Sequence, residues 1–281
     1  MARHPERARC QDTPVSPWLE IVIPARNEER RLPAGLAELD AALVALPADV
    51  GVVVVDSAST DGTGAVVRRH AATGDVPVRL VRCDRPGKGA AVRAGLLATT
   101  APYVGFCDAD MATDPAAIAV AVRLLRTGNP VVLGSRSHPL SVVEARHTVI
   151  RKAGAAVFRA ATRVVVPGVG DTQCGFKFFD GPTARSAAAS LRITGFAFDV
   201  ELIARCVRLG AAPIEIPVRW RDVSGSTFSI WRHSASSFAG LAFAWWVLRA
   251  RSAAADPVWV ALGADTAAAS VALNPLPPPA E

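Results

Sequence analysis

Tyr103-Val104-Gly105-Phe106-Cys107-Asp108-Ala109-Asp110 closes an apolar, buried-type run with two carboxylates separated by one small residue. Side chains alternate across an extended strand, so Asp108 and Asp110 reach one point only if the chain turns at Asp108. Such a turn aims both carboxylates at one oxygen-ligated cation, which would neutralise a diphosphate. By itself an acidic pair is also an ordinary solvated turn former. Its neighbours decide between the two readings.

Leu19-Glu20-Ile21-Val22-Ile23-Pro24-Ala25-Arg26-Asn27-Glu28-Glu29 is a β-branched run broken by proline and followed by a helical pattern. Val52-Val53-Val54-Val55-Asp56-Ser57 reads as a strand buried on both faces of a parallel sheet, with Asp56 at its carboxyl end. Ligands of open α/β sheets collect outside those ends, so Asp56 and Asp108 both lie where a nucleotide would sit. Asp56 also fits a helix cap, a role open equally to Ser59, Thr60 and Asp61. Further on, Arg85-Pro86-Gly87-Lys88-Gly89 opens a small-residue helix, where backbone amides and Lys88 can meet an anion. It lacks the ending of a Walker loop, and a plain solvated turn is the alternative.

In this order the four pieces resemble the nucleotide-binding half of the inverting family-two glycosyltransferases, whose fold is called GT-A. The resemblance continues through Val132-Leu133-Gly134-Ser135-Arg136, Asp171-Thr172-Gln173-Cys174-Gly175-Phe176-Lys177, Gly195-Phe196-Ala197-Phe198-Asp199-Val200-Glu201-Leu202 and Ile216-Pro217-Val218-Arg219-Trp220. That suite is most similar to the dolichyl-phosphate β-glucosyltransferases and their bacterial polyprenyl-phosphate relatives. Dolichyl-phosphate mannose synthases stand a step further away. Where the family usually has a second acidic residue after Asp56, this chain has Ser57 and Ala58.

The resemblance implies an α/β fold: a Rossmann-like, mainly parallel sheet flanked by helices, with a C-terminal apolar helical extension. It also implies transfer of a hexose, glucose or mannose, from UDP-glucose or GDP-mannose to a phosphate acceptor, chiefly polyprenyl phosphate. By family position, Asp110 with Asp108 would hold Mg2+ or Mn2+, and Pro24, Asn27, Glu28, Asp56, Lys88 and Asp108 would bind the nucleotide sugar. Arg136, Arg151, Gln173, Lys177 and Trp220 would serve the acceptor. A lipid monophosphate is already anionic near neutral pH and needs cations to place it, for which the Arg136 fork is suited. An alcohol would need a base, and Asp199 matches that position. The bland role for Asp199 is capping the helix near Val200. A soluble natural-product or small phosphorylated acceptor is the competing enzyme reading, and a non-catalytic sugar-nucleotide-binding protein is the third.

The rest of the chain bounds these readings. Its 281 residues, 51% of them hydrophobic, suffice for one large core. The formal charge of +6 comes from 31 basic and 25 acidic residues, and the only lysines are Lys88, Lys152 and Lys177. No basic run is interleaved with aromatics, so nucleic acid is not an expected partner, whereas anionic lipid is. Cys10, Cys83, Cys107, Cys174 and Cys206 are dispersed and odd in number, which suits a reducing compartment. With a polar amino-terminal stretch and no signal peptide, the expected location is cytoplasmic, with a peripheral position on the inner membrane face for a lipid acceptor. A homo-oligomer is left open.

Four parts are expected: a flexible arm over 1–17, the catalytic domain over 18–233, an apolar or amphipathic helical region over 234–262 and a low-complexity tail over 263–281. Strands are predicted at 19–23, 51–55, 78–82, 103–107 and 131–134, with helices at 28–46, 62–73, 88–99, 114–127 and 141–166. From Ser234 to Leu248 the chain is apolar on most sides and bordered by Arg232, Arg249 and Arg251. It falls short of the roughly 20 residues a bilayer span needs, leaving an interfacial, subunit-contact or core-packing helix.

Overall fold

A computed structural model of the chain describes residues 17–46, 49–144, 158–223 and 240–246. Strands β1 (Leu19–Ala25), β2 (Val50–Ser57), β3 (Val78–Cys83), β4 (Tyr103–Cys107) and β5 (Val131–Ser135) alternate with helices α1 (Leu32–Val44), α2 (Thr63–Thr73), α3 (Lys88–Ala98) and α4 (Ala117–Arg126). Then follow β6 (Val142–Glu144), β7 (Phe176–Asp180), α5 (Gly181–Ala189), α6 (Phe198–Arg208), β8 (Pro213–Pro217) and β9 (Arg219–Arg221). Seven strands form one sheet in the order β3-β2-β1-β4-β7-β5-β8, and β6 pairs with β9 in a separate ribbon. Only β7 runs antiparallel to its neighbours β4 and β5. The sheet is therefore mainly parallel, as the alternating sequence pattern requires.

Strand alternation divides the core into two layers. Val52 and Val54 of β2 join Ile21 and Ile23 of β1 beneath Leu32, Leu36 and Leu39 of α1. Val53, Val55 and Val22 face the other way, toward Ala91, Val92 and Leu96 of α3 and Val200 and Ile203 of α6. Phe106, Phe176, Phe178 and Phe179 are completely buried at the centre. Each such side chain contributes about 1.5–3 kcal/mol relative to exposure. Pro24 lies past the end of the β1–β4 ladder, which covers only Leu19 to Val22, and keeps its register with Val55 of β2.

Element boundaries differ from expectation where side chains capture the backbone. The first helix starts at Leu32 instead of 28, because Asn27 adopts a left-handed φ of 55° and its side chain accepts from Thr60 N–H. Across 141–166 the expected helix is replaced at its start by β6, since Val142 and Val143 find a partner strand in β9. Residues 158–165 are helical, whereas Arg151 and Lys152 lie outside the described residues.

Of the expected Ser234–Leu248 helix, 240–246 are described and helical. Leu241 and Ala244 are buried, and Leu241 joins the layer under α6. Phe243, Trp245 and Trp246 are exposed, the last by 59%. The segment therefore packs on the protein with one side and presents aromatic rings on another. No helix among the described residues is long and apolar enough to cross a membrane.

Helix α3 lies unusually close to the sheet at Gly95, where a Cβ would overlap Val22 Cγ1 and approach Val55 Cγ2 at 2.9 Å. Gly95→Ala should therefore lower unfolding stability by about 1–3 kcal/mol despite alanine's better helix propensity. Urea titration reads this directly, and an unchanged midpoint would refute the close packing.

Candidate active site

The carboxyl ends of β1, β2 and β4 converge on one edge of the sheet, and the loops leaving them are stitched together. Asp56, next to last in β2, lies beside Ala25 and accepts the Ser59 N–H at 3.0 Å. Asn27 donates its backbone N–H to Ser59 Oγ (3.0 Å), and Glu28 donates its own to Thr63 Oγ1 (2.8 Å). The Glu28 carboxylate receives Arg31 through Nε at 2.8 Å and Nη2 at 2.6 Å. Pro24, Asn27, Glu28 and Asp56 thus occupy one rim.

Beyond β4 the chain turns as the acidic pair requires. Met111 N–H returns to Asp108 O at 3.1 Å, and Met111 itself has φ 44°. Asp110 Oδ1 accepts from Ala112 N–H, while its Oδ2 stands 3.7 Å from Arg31 Nη1. Asp108 receives Lys88 Nζ at 2.5 Å, and a Cβ on Gly175 would collide with its carboxylate. Burial first, then the Asp108 charge, raises the pKa of Asp110. Glu28 is raised by burial too, with Asp110 and Asp108 adding to it and Arg31 opposing. These carboxylates crowd one another, an arrangement that gains from an added cation.

No group of three or more metal-binding side chains occurs among the described residues. Asp108 and Asp110 offer two carboxylates as a pair, leaving the rest of a shell to diphosphate and water. That donor set fits a hard divalent ion.

Beneath lies a second ion pair. Lys177 is completely buried, and its ammonium donates to Asp199 Oδ1 (2.6 Å) and Cys174 O (2.5 Å), 5.0 Å from the centre of the Phe106 ring. This corrects the expectation that Lys177 meets an acceptor, because the side chain is completely buried and its ammonium is paired with Asp199 inside the core. Asp199 is 2% exposed. It does not cap α6 either, since it lies inside the first turn and Ala197 occupies the cap position. Burial raises the pKa of Asp199 although Lys177 and Lys88 oppose the shift. For Lys88, burial favours the neutral amine, but Asp108 and Asp199 outweigh it and raise its pKa.

Arg136 leaves β5 and is held by Asp171 through Nε (2.7 Å), Nη2 (2.9 Å) and its backbone N–H (3.0 Å). Its guanidinium also sits 5.7 Å from the centre of the Trp220 ring. Glu215 of β8 fixes Asp171 by accepting the N–H groups of Gly170 and Asp171, both at 2.9 Å. One bidentate edge of Arg136 is therefore already occupied by Asp171. Nearby in sequence, Ser135 Oγ, Thr172 Oγ1 and Gln173 Nε2 are buried without a hydrogen-bond partner among the described residues. Buried polar atoms of this kind call for a ligand or water. The sequence motifs contained Asp171, Ser135 and Thr172, yet nothing in them signalled these environments. Arg31 was missed as well, although its three-residue spacing from Glu28 was a usable signal.

A Rossmann-like sheet with paired carboxylates and a lysine at its strand ends defines a nucleotide-sugar transferase. Residues 20–179 match the profile of Glycosyl transferase family 2, and the chain belongs to that family of enzymes. It is 34% identical over 232 residues to a dolichyl-phosphate beta-glucosyltransferase of Drosophila melanogaster, spanning 77% of this chain and 70% of that protein. The Homo sapiens protein of the same name is 32% identical over 231 residues, covering 76% and 70%. Glucosyl-3-phosphoglycerate synthase from Mycobacterium tuberculosis, solved with Mn2+, UDP-glucose and phosphoglyceric acid, superposes with a TM-score of 0.60 at 22% identity. The match covers 81% of this chain and 79% of that one, and establishes the GT-A fold.

For Asp171, burial works against the charge, but the Arg136 contacts prevail and hold its pKa at about 2, below the ordinary 3.8. A carboxylate depressed in the folded state adds stability above its unfolded pKa and loses it as pH falls through the folded one. The pair should therefore contribute about 2 kcal/mol at neutral pH, fading between roughly pH 4 and pH 2. Asp171→Asn should abolish that acid-sensitive part, measured as urea stability against pH. Parallel profiles for parent and variant would refute it.

Proposed function

We propose that this chain transfers glucose from UDP-glucose to polyprenyl phosphate with inversion at the anomeric carbon. The observation that carries the reading is the Lys88–Asp108–Asp110 cluster at the strand ends, in a chain 34% identical to a dolichyl-phosphate beta-glucosyltransferase. Asp108 and Asp110 would hold Mg2+ or Mn2+, and the mycobacterial synthase has been solved with each. When bound, the ion supplies Lewis-acid stabilisation of charge on the departing diphosphate.

Lys88 faces the same anion, and the rim of Pro24, Asn27, Glu28 and Asp56 takes the base and ribose. An oxygen of the acceptor phosphate forms the new bond to the anomeric carbon as the bond to the diphosphate breaks, and UDP departs with the electron pair. A phosphate monoester loses its second proton near pH 6, so no base is needed. That agrees with an Asp199 committed to Lys177. Arg136 would orient the acceptor phosphate with its open edge, and Gln173 and Trp220 would line the same side. Arg151, outside the described residues, keeps its assigned acceptor role in this proposal. The catalytic unit would span 18–233, with the exposed rings of 240–246 touching lipid.

Purified protein with UDP-glucose, Mg2+ or Mn2+ and polyprenyl phosphate should release UDP and form a glucosylated lipid. Asp110→Asn should lower turnover by about a hundredfold or more while the fold survives, because the amide keeps the shape and loses the charge. Full activity in this variant, or in excess chelator, would remove the metal role. Transfer to 3-phosphoglycerate with none to the lipid would move the acceptor to a soluble phosphate, and use of GDP-mannose alone would change the donor.

Trp245→Ala with Trp246→Ala should weaken binding to vesicles containing anionic lipid while leaving UDP affinity intact, since interfacial aromatic rings anchor at headgroup depth. Cosedimentation at low salt checks this. A parent protein that ignores such vesicles makes the segment a packing element.

A further inference from the structure

Glu201 has no part in the reaction described above, yet it is completely buried. Its carboxylate accepts the backbone N–H of Arg192 at 3.1 and 3.2 Å and of Ile193 at 2.8 Å. Arg205 completes the set through Nε at 2.9 Å and Nη2 at 2.5 Å. Charge-assisted bonds from two successive amides hold a backbone segment more firmly than neutral ones would. What they hold is the stretch Arg192–Thr194.

That stretch is the seat of the lysine turn. Gly89 N–H donates to Thr194 O at 2.8 Å. Gly87, at φ 124°, passes so near Thr194 O that a Cβ would overlap it, and a Cβ on Gly89 would meet Ile193 O at 2.5 Å. Lys88 stands between these two glycines with its ammonium on Asp108. A displacement of the seat is therefore passed to Lys88 through backbone contacts.

We infer that Glu201 is a positioning residue for the donor site: it fixes Arg192–Thr194, which seats the Gly87–Gly89 turn and aims Lys88 at Asp108. The inference rests on the proposed donor role of Lys88. Asp199 and Glu201, two residues apart on α6, then divide the work. Asp199 neutralises the ammonium beneath the site, and Glu201 sets the height and angle of the lysine above it.

The test is calorimetric affinity for UDP and for GDP, each with Mg2+, on the full chain. Glu201→Gln should weaken binding of the nucleotide that the parent prefers by about tenfold, the scale of one lost charge-assisted contact. Lys88→Met should weaken it at least as much, and the double variant no further, because both act through one ammonium. Asp180→Ala, which removes the cap at the start of α5, should lower thermal stability without changing affinity. Gly89→Ala disturbs the seat from the opposite side and should weaken binding even with Glu201 intact, so the inference stands or falls on it if Glu201→Gln does not fold. Parent-like affinity in Glu201→Gln or Gly89→Ala, or additive losses in the double variant, overturns the positioning role alone. A parent that binds neither nucleotide, or a Lys88→Met that binds as the parent does, overturns the donor reading and this inference with it.

Discussion

The ammonium of Lys177 has no access to water, and Asp199 is the carboxylate that compensates it. Removing one partner from a buried pair leaves an uncompensated charge at a cost of about 3–5 kcal/mol, so the two behave as one unit. Above them Lys88 is raised in pKa by Asp108 and Asp199 together, in spite of its burial. Lys177, Asp199, Lys88 and Asp108 thus alternate in sign from the core outward. Alternation is what allows four ionisable groups to share a poorly hydrated region. At the outer end the series runs into Asp110 and Glu28, where anions accumulate and positive charge is in deficit.

Two halves of the sheet meet across this series. β1, β2 and β4 present the rim of Pro24, Asn27, Glu28 and Asp56, while Arg136 follows β5, Trp220 lies on β9 and Asp171 is held by Glu215 of β8. The halves touch through backbone as well as charge, because Arg221 N–H reaches Ala112 O at 2.8 Å and Asp114 N–H reaches Arg219 O at 3.0 Å. Trp220 lies between those two rungs, with Arg136 near its ring. The turn that follows the acidic pair is thereby fastened to the strand that supports the arginine.

Much of the half built on β1, β2 and β4 was legible because its signals are local. Val52 to Val55 could only be a strand buried on both faces, and Asp108–Asp110 after Phe106 implied a turn at a strand end. The half around Arg136 depends on partners distant in sequence. Val142 and Val143 fit a helical pattern until β9 exists to pair with them, and Lys177 looked like an acceptor cation because nothing nearby announces Asp199. Family position gave Arg136 a phosphate to bind but could not reveal that Asp171 already fills one edge of its fork. Glu201 was visible as part of a motif, whereas its work on Arg192 and Ile193 exists only in the folded loop.

The antiparallel strand β7 has a consequence for the order in which this chain can be assembled. It fills the space between β4 and β5 from a position far downstream of both. Until Phe176–Asp180 has been synthesised, β4 has β1 on one side and nothing on the other, so Val104 and Phe106 border an unpaired strand edge. Open apolar edges invite pairing with other chains. A nascent polypeptide long enough to complete the rim of β1, β2 and β4 therefore still carries an adhesive flank, and the segment that seals it is the one bearing Lys177.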